Sequence, residues 1–191
     1  MPSDIALFLR QLIRNPVQTS AILPSSGFLA RAMVAGLGPN SGRVVEFGPG
    51  TGVFTRAILK AGVRPQDLVL FEMNPDFADH LRRQFPDVTV HIAGAQDAPK
   101  HCAEGVGTVI SGLPLLSMPT DIRRAIVGGA FNILRWGGAM MQFTYGPNPP
   151  LDDASFTALG LTHQRKTKIW LNMPPATVYA FQRRSDLMSQ V

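Results

Sequence analysis

Apolar residues at Ile5, Phe8, Leu9, Leu12 and Ile13 recur at i, i+3, i+4, i+7 and i+8 behind a Ser3 or Asp4 cap, which is the spacing of one helix face. Asn15-Pro16 ends that helix, and a Pro- and Ser-containing loop leads to a second cap at Ser25 or Ser26 and a helix through Phe28, Leu29, Ala32 and Met33 to Leu37. The period then changes. Val44-Val45 with Phe47 is a short apolar run suited to a strand covered on both faces, and residues 53–59 return to helical spacing. The alternation continues with strands at 68–71, 88–92, 108–111 and 138–145 and helices at 76–85 and 121–134. Residues 162–172 and 177–182 are two further strands joined through Met173-Pro174-Pro175-Ala176, an antiparallel pair, and the polar residues from Ser185 are expected to form a loose tail. Strands alternating with helices place the chain in the α/β class with a largely parallel sheet.

The first strand runs into Gly48-Pro49-Gly50-Thr51-Gly52 and a helix start. Glycines at that spacing let the backbone approach a ligand, and the helix start adds unpaired N–H groups and a positive dipole end. The second strand ends on Glu72, about where Rossmann-type folds set an acid against ribose hydroxyls. With Glu46 before it, the turn resembles the Glu-x-Gly-x-Gly-x-Gly of the class I S-adenosylmethionine-dependent methyltransferases. That resemblance implies a Rossmann-like, seven-stranded, mostly parallel sheet with an antiparallel last strand, preceded here by N-terminal amphipathic helices. It implies S-adenosylmethionine as cofactor, held by Glu46, Gly48, Gly50, Gly52, Glu72 and Met73, with Thr19 and Ser20 in a loop that covers its methionine end. After the third strand these enzymes usually carry an acid that meets the adenine amino group. Ala95 occupies that place, so Gln96 or Asp97 is the expected substitute. Ser111, ending strand four, falls where the transferred methyl should sit.

Length and charge refine the picture. The 191 residues suffice for one domain with a sizeable core, divided here into N-terminal helices over 1–36 and a methyltransferase domain over 37–191. No apolar run approaches the roughly 20 residues of a membrane span. The lone Cys102 excludes an internal disulfide, the start lacks signal-peptide character, and a cytoplasmic location is expected. A net charge of +5 calls for an anionic partner, and the basic residues gather toward the ends: Arg10, Arg14 and Arg31, then Arg165, Lys166, Lys168, Arg183 and Arg184.

Longer stretches narrow the resemblance. Leu23-Pro24-Ser25-Ser26, Glu72-Met73-Asn74-Pro75, Ser111-Gly112-Leu113-Pro114-Leu115-Leu116-Ser117-Met118-Pro119, Gln142-Phe143-Thr144-Tyr145-Gly146-Pro147 and Trp170-Leu171-Asn172-Met173-Pro174-Pro175 resemble the bacterial phospholipid N-methyltransferases of the rhizobial and Rhodobacter type. The resemblance implies methylation of phosphatidylethanolamine toward phosphatidylcholine, at the inner face of the bacterial membrane; related enzymes methylate ornithine lipids. Residues 3–14 then become an anchor on an anionic membrane surface. The chemistry agrees with such an acceptor. Methyl transfer is an in-line displacement, and a lysine-like amine costs roughly 4 kcal/mol to deprotonate at pH 7, which a weakly polar pocket partly offsets. Ser111, Leu113 and Tyr145 are the expected acceptor-site residues, His163 is a further relay candidate, and Trp170 could contact a methylated ammonium. No metal is expected. An rRNA adenine dimethylase is the competing reading, but those enzymes stack an aromatic on the flipped base after strand four, and Leu115 stands there. Nucleic acid is therefore not expected as a partner.

Overall fold

The computed structural model describes residues 26–170 and 175–188. The expected membrane helix over 3–14, with Thr19 and Ser20, lies outside the described residues.

Helix α1 (Ser26–Met33) precedes strand β1 (Val44–Phe47) and helix α2 (Val53–Lys60). Strand β2 (Leu68–Phe71), helix α3 (Pro75–Gln84) and strand β3 (Thr89–His91) follow, then a 3₁₀ segment, Ala95–Lys100. Strand β4 (Val106–Ser111), helix α4 (Thr120–Ile133), strand β5 (Leu134–Thr144), helix α5 (Asp153–Ala158), strands β6 (Leu161–Ile169) and β7 (Ala176–Arg183) and helix α6 (Arg184–Met188) complete the order. Local chemistry sets the joints. Asn74 caps α3 by accepting from the Asp76 and Phe77 amides, with Pro75 in the first turn, and Asp152 accepts from the Ser155 amide at 2.7 Å to start α5.

The strands form one sheet in the order β3-β2-β1-β4-β5-β7-β6, parallel through β5, with β7 antiparallel to both its neighbours. Both faces are covered, as the unbroken apolar runs require. Val45, Phe47, Phe71, Val109, Met140 and Phe181 pack with Ile126, Ala130 and Phe131 of α4. Val44, Leu68, Leu70, Ile110, Met141 and Val178 pack with Leu29 and Met33 of α1, Ile58 of α2 and Leu81 of α3. Helix α1 is thus part of the sheet's cover.

Three expectations are corrected. Strand β5 starts at Leu134, ahead of the expected 138, because Gly137 (φ 73°) and a register break opposite β4 let the chain pass through a bulge rather than a loop. Residues 185–188, expected in a loose tail from Ser185, belong instead to helix α6, with Asp186 buried. Arg183 and Arg184 hold this end down: Arg183 donates to the Arg135 and Leu134 carbonyls, both at 3.0 Å, and to that of Phe131, while Arg184 donates to the Leu161 carbonyl at 3.0 Å. Two of the basic residues read as surface charge therefore serve main-chain carbonyls.

Candidate active site

All five parallel strands end on the same edge of the sheet, and a cleft opens there, holding about 730 Å³ of empty space including its open mouth. Gly48 and Gly50 after β1, Glu72 and Met73 after β2, Ala95 and Gln96 after β3, and Gly112, Leu113 and Pro114 after β4 line it. Phe71, Phe77, Ala93, Met118 and Ile126 supply an apolar floor and wall.

The β1 turn is held open by backbone geometry. Gly48, Gly50 and Gly52 have φ of 66°, 53° and 80°, which favour glycine. A side chain at Gly50 would meet nothing within 4 Å, so its empty place belongs to the cleft. Gly52 differs: a Cβ there would come within 2.7 Å of the Phe85 ring, so this glycine serves helix packing and does not line the cleft. Gly112 joins the two turns, donating its amide to the Phe47 carbonyl at 2.8 Å, with room for a Cβ denied by the Gly48 carbonyl oxygen at 2.8 Å.

Two carboxylates end neighbouring strands and do different work. Glu72 accepts from the Gly50 amide at 3.1 Å and the Asn74 amide at 2.8 Å and lines the cleft. Burial raises its pKa, and those amides, with that of Met73, pull it back. Glu46 is fully buried beneath the turn. Its Oε2 accepts from the Thr55 hydroxyl at 2.7 Å, its Oε1 has no protein partner, and desolvation pushes its pKa up to about 8.

On the adenine side the choice between the two candidate residues becomes concrete. Asp97 is paired with Lys100 at 2.6 Å and accepts from Gln96 Nε2 at 3.1 Å, leaving Gln96 Oε1 as an unpartnered buried acceptor on a residue that lines the cleft. An exocyclic amino group would satisfy it. The open place at Gly50, the amide-held Glu72 and this acceptor together fit a nucleoside-bearing cofactor.

On the other side, Ser111 is fully buried, and its Oγ accepts from the Leu113 amide at 3.4 Å. Gln142, its cross-strand partner on β5, is also fully buried; its Nε2 donates to the Leu113 carbonyl at 3.0 Å and to that of Phe143 at 2.8 Å. Gln142 was not foreseen as a site residue. The expected aromatic and imidazole groups stand elsewhere. Tyr145 is exposed, with its ring edge-on to Phe143, and does not line the cleft. Trp170 is exposed and carries Lys168 over its ring. His163, expected as a relay or a water-facing residue, is half-buried against the Phe156 ring at 4.6 Å; it pairs with Phe181, below the end of the sheet where the cleft opens.

Among the described residues no group of His, Cys, Asp and Glu could hold a metal ion, and no helix is long and apolar enough to cross a membrane.

No protein-family model matches the chain. A search of curated proteins finds an ornithine lipid N-methyltransferase of Singulisphaera acidiphila, 29% identical over 152 residues that cover 75% of this chain and 79% of the relative. Among solved structures, a TehB-like S-adenosylmethionine-dependent methyltransferase from Corynebacterium glutamicum superposes with a TM-score of 0.64 at 14% identity, covering 94% of this chain and 98% of that one. The 1,6-didemethyltoxoflavin-N1-methyltransferase of Burkholderia thailandensis, with bound 1,6-didemethyltoxoflavin and S-adenosylhomocysteine, superposes with a TM-score of 0.66 at 14% identity, covering 96% and 91%. The chain has the class I S-adenosylmethionine-dependent methyltransferase fold, and S-adenosylmethionine is the cofactor which that fold implies.

Proposed function

We propose that this chain is an S-adenosylmethionine-dependent N-methyltransferase that acts on the primary amine of a membrane-lipid head group, an ornithine lipid ahead of phosphatidylethanolamine. The observation that carries the reading is the sequence likeness over 152 residues to a protein named as an ornithine lipid N-methyltransferase. Sequence resemblance alone had put phosphatidylethanolamine first; the curated relative moves the preference to the amino-acid head group.

The site's own chemistry supports an amine acceptor. Bound S-adenosylmethionine supplies an electrophilic methyl group, so the protein has to deliver an aligned, neutral nitrogen. Among the described residues Glu72 is the one ionisable side chain lining the cleft, and its oxygens accept from main-chain amides, so none of them stands ready as a free base. The apolar wall of Met118, Ile126 and Phe77 disfavours the ammonium form. The Leu113 carbonyl accepts from the Leu115 amide at 2.9 Å and from Gln142 Nε2 at 3.0 Å, which fixes the turn at the β4 end against which the amine would be aligned. Glu72 and Gln96 are the residues suited to ribose hydroxyls and adenine. A base-methylating enzyme is less well served: Leu115 is buried in the core and offers no stacking surface.

The test is incubation with labelled cofactor and separate detergent-dispersed ornithine lipid, phosphatidylethanolamine and its monomethyl form, followed by chromatography. Label in ornithine lipid above the others is the expected result. Label in phosphatidylethanolamine alone would restore the first preference, and label only in added RNA would overturn the reading. The amphipathic stretch 3–14 is proposed as a membrane anchor on its sequence pattern, and its deletion should sharply reduce sedimentation with anionic vesicles.

A further inference from the structure

We propose that the end of the sheet where β6 stops is a docking face for an anionic lipid bilayer, with Trp170 seated at the interface and Arg165, Lys166 and Lys168 above it. This rests on the lipid-acceptor reading and adds the surface by which the cleft meets its substrate.

Register fixes the location. Ser111 lies beside Gln142 and Gln142 beside Tyr179, while Thr144, where β5 ends, pairs with Thr177 and Ile169 with Ala176. The end of β6, with Trp170 next to it, therefore lies at the same edge of the sheet as the glycine turn and the Leu113 turn. Trp170, one residue beyond β6, is 71% exposed, and the Lys168 ammonium sits 3.7 Å from its ring centroid. Tyr145, at the end of β5, is 43% exposed on the same edge. A tryptophan beside lysine is the pairing that settles at the head-group level, where an amphipathic ring contacts acyl chains and phosphate at once.

Charge selects the partner. Between Asp153 and Asp186 the sequence contains no acidic residue. Arg165, Lys166 and Lys168 are exposed, and none is in an ion pair among the described residues. A second exposed pair, Arg31 over Phe28 at 4.7 Å, lies on α1, which packs against β5, β6 and β7. Because β6 is the outer strand of the sheet, lysines there also discourage edge pairing. That accounts for the charges on the strand but not for a large aromatic left bare beyond its end.

The chain carries its own control, since the other tryptophan, Trp136, is exposed at the start of β5, the opposite edge of the sheet. Full-length Trp136→Phe and Trp170→Phe proteins each leave one tryptophan to report on vesicles of phosphatidylglycerol with brominated acyl chains. Trp170 should be quenched and blue-shifted, Trp136 unaffected, and Lys166→Glu with Lys168→Glu should lower partitioning by at least about tenfold at low salt. Equal quenching of both, no quenching of Trp170, or binding to single-stranded RNA with none to vesicles would overturn the docking face. The two readings fail separately. Methylation of detergent-dispersed lipid without Trp170 quenching removes the face and keeps the activity; quenching without label in any lipid keeps the face and removes the activity.

Discussion

The two walls of the cleft are made of different atoms. On the β1–β3 side the polar side chains lining the cleft are the Glu72 carboxylate and Gln96, beside a turn whose glycines have φ angles of 66°, 53° and 80°. On the β4–β5 side the lining is the Gly112-Leu113-Pro114 turn, its Leu113 carbonyl held by a glutamine 29 residues further along the chain. The first wall fits a polar nucleoside and is set by turns and strand ends with local sequence signals. The second closes the acceptor side and is set by cross-strand register. Changes to one wall should therefore be read in cofactor binding and changes to the other in turnover.

Gly112 is the seam between the walls, and breaking it should cost both. A valine there would press on the Gly48 carbonyl, a backbone atom with no room to retreat. Overpacking of this kind costs about 1 to 3 kcal/mol or more, so Gly112→Val should weaken cofactor binding roughly 5- to 150-fold or more by calorimetry and lower the melting temperature as well. Wild-type affinity would mean that the turns are not coupled.

Glu72→Ala isolates the first wall. It removes the acceptor for the Gly50 and Asn74 amides, each a hydrogen bond to a charged group worth about 1.5 to 3 kcal/mol. Cofactor Kd should rise roughly 10- to 100-fold, with the acceptor KM at saturating cofactor little changed. Gln142→Met isolates the second. It keeps volume but removes the donor to Leu113, so kcat should fall about 5- to 50-fold while cofactor Kd stays within twofold. A parallel loss of cofactor affinity in Gln142→Met would erase the distinction between the walls.

The same contrast governs what can be read from sequence. The glycine turn and Glu72 are local signals, because the φ requirement and the acid at a strand end are written into neighbouring residues. Gln142 was invisible as a site residue, since its role depends on standing beside Ser111, and nothing in its own neighbours sets that register. Ile126 and Phe77 line the cleft, but in sequence they are indistinguishable from core residues of amphipathic helices, as Met118 is from any apolar residue of a turn. His163 was misread for a related reason: a strand's alternation gives its face but not the α5 ring of Phe156 that covers it. The tail from Ser185 was misread because the arginines that pin it bind carbonyls far away in the chain.

Stability, rather than binding or turnover, tests the difference between the two carboxylates. Glu72 keeps two amide partners, whereas Glu46 is fully buried with one oxygen unpaired, and its pKa stands near 8 against an ordinary 4.5. A carboxyl whose folded pKa is raised holds its proton in the native state after the unfolded chain has lost it. Stability is therefore greatest below pH 4.5 as far as this group is concerned, and falls as pH rises toward 8, by a few kcal/mol in all. For a chain of this size that corresponds to a drop on the order of 5 to 10 °C in melting temperature. His91, whose pKa is lowered by burial and by the charges of His101 and Arg82, acts in the opposite sense, gaining stability as pH rises through its range, so the wild-type curve alone is ambiguous. Glu46→Gln resolves it, because the amide retains an acceptor for Thr55 and cannot ionise. In cofactor-free protein scanned from pH 5 to 8, the melting temperature of Glu46→Gln should gain steadily on the wild type, and the difference between the two curves should level off above pH 8. Parallel curves across that range would show that Glu46 is already ionised in the fold and that its buried oxygens are satisfied in solution.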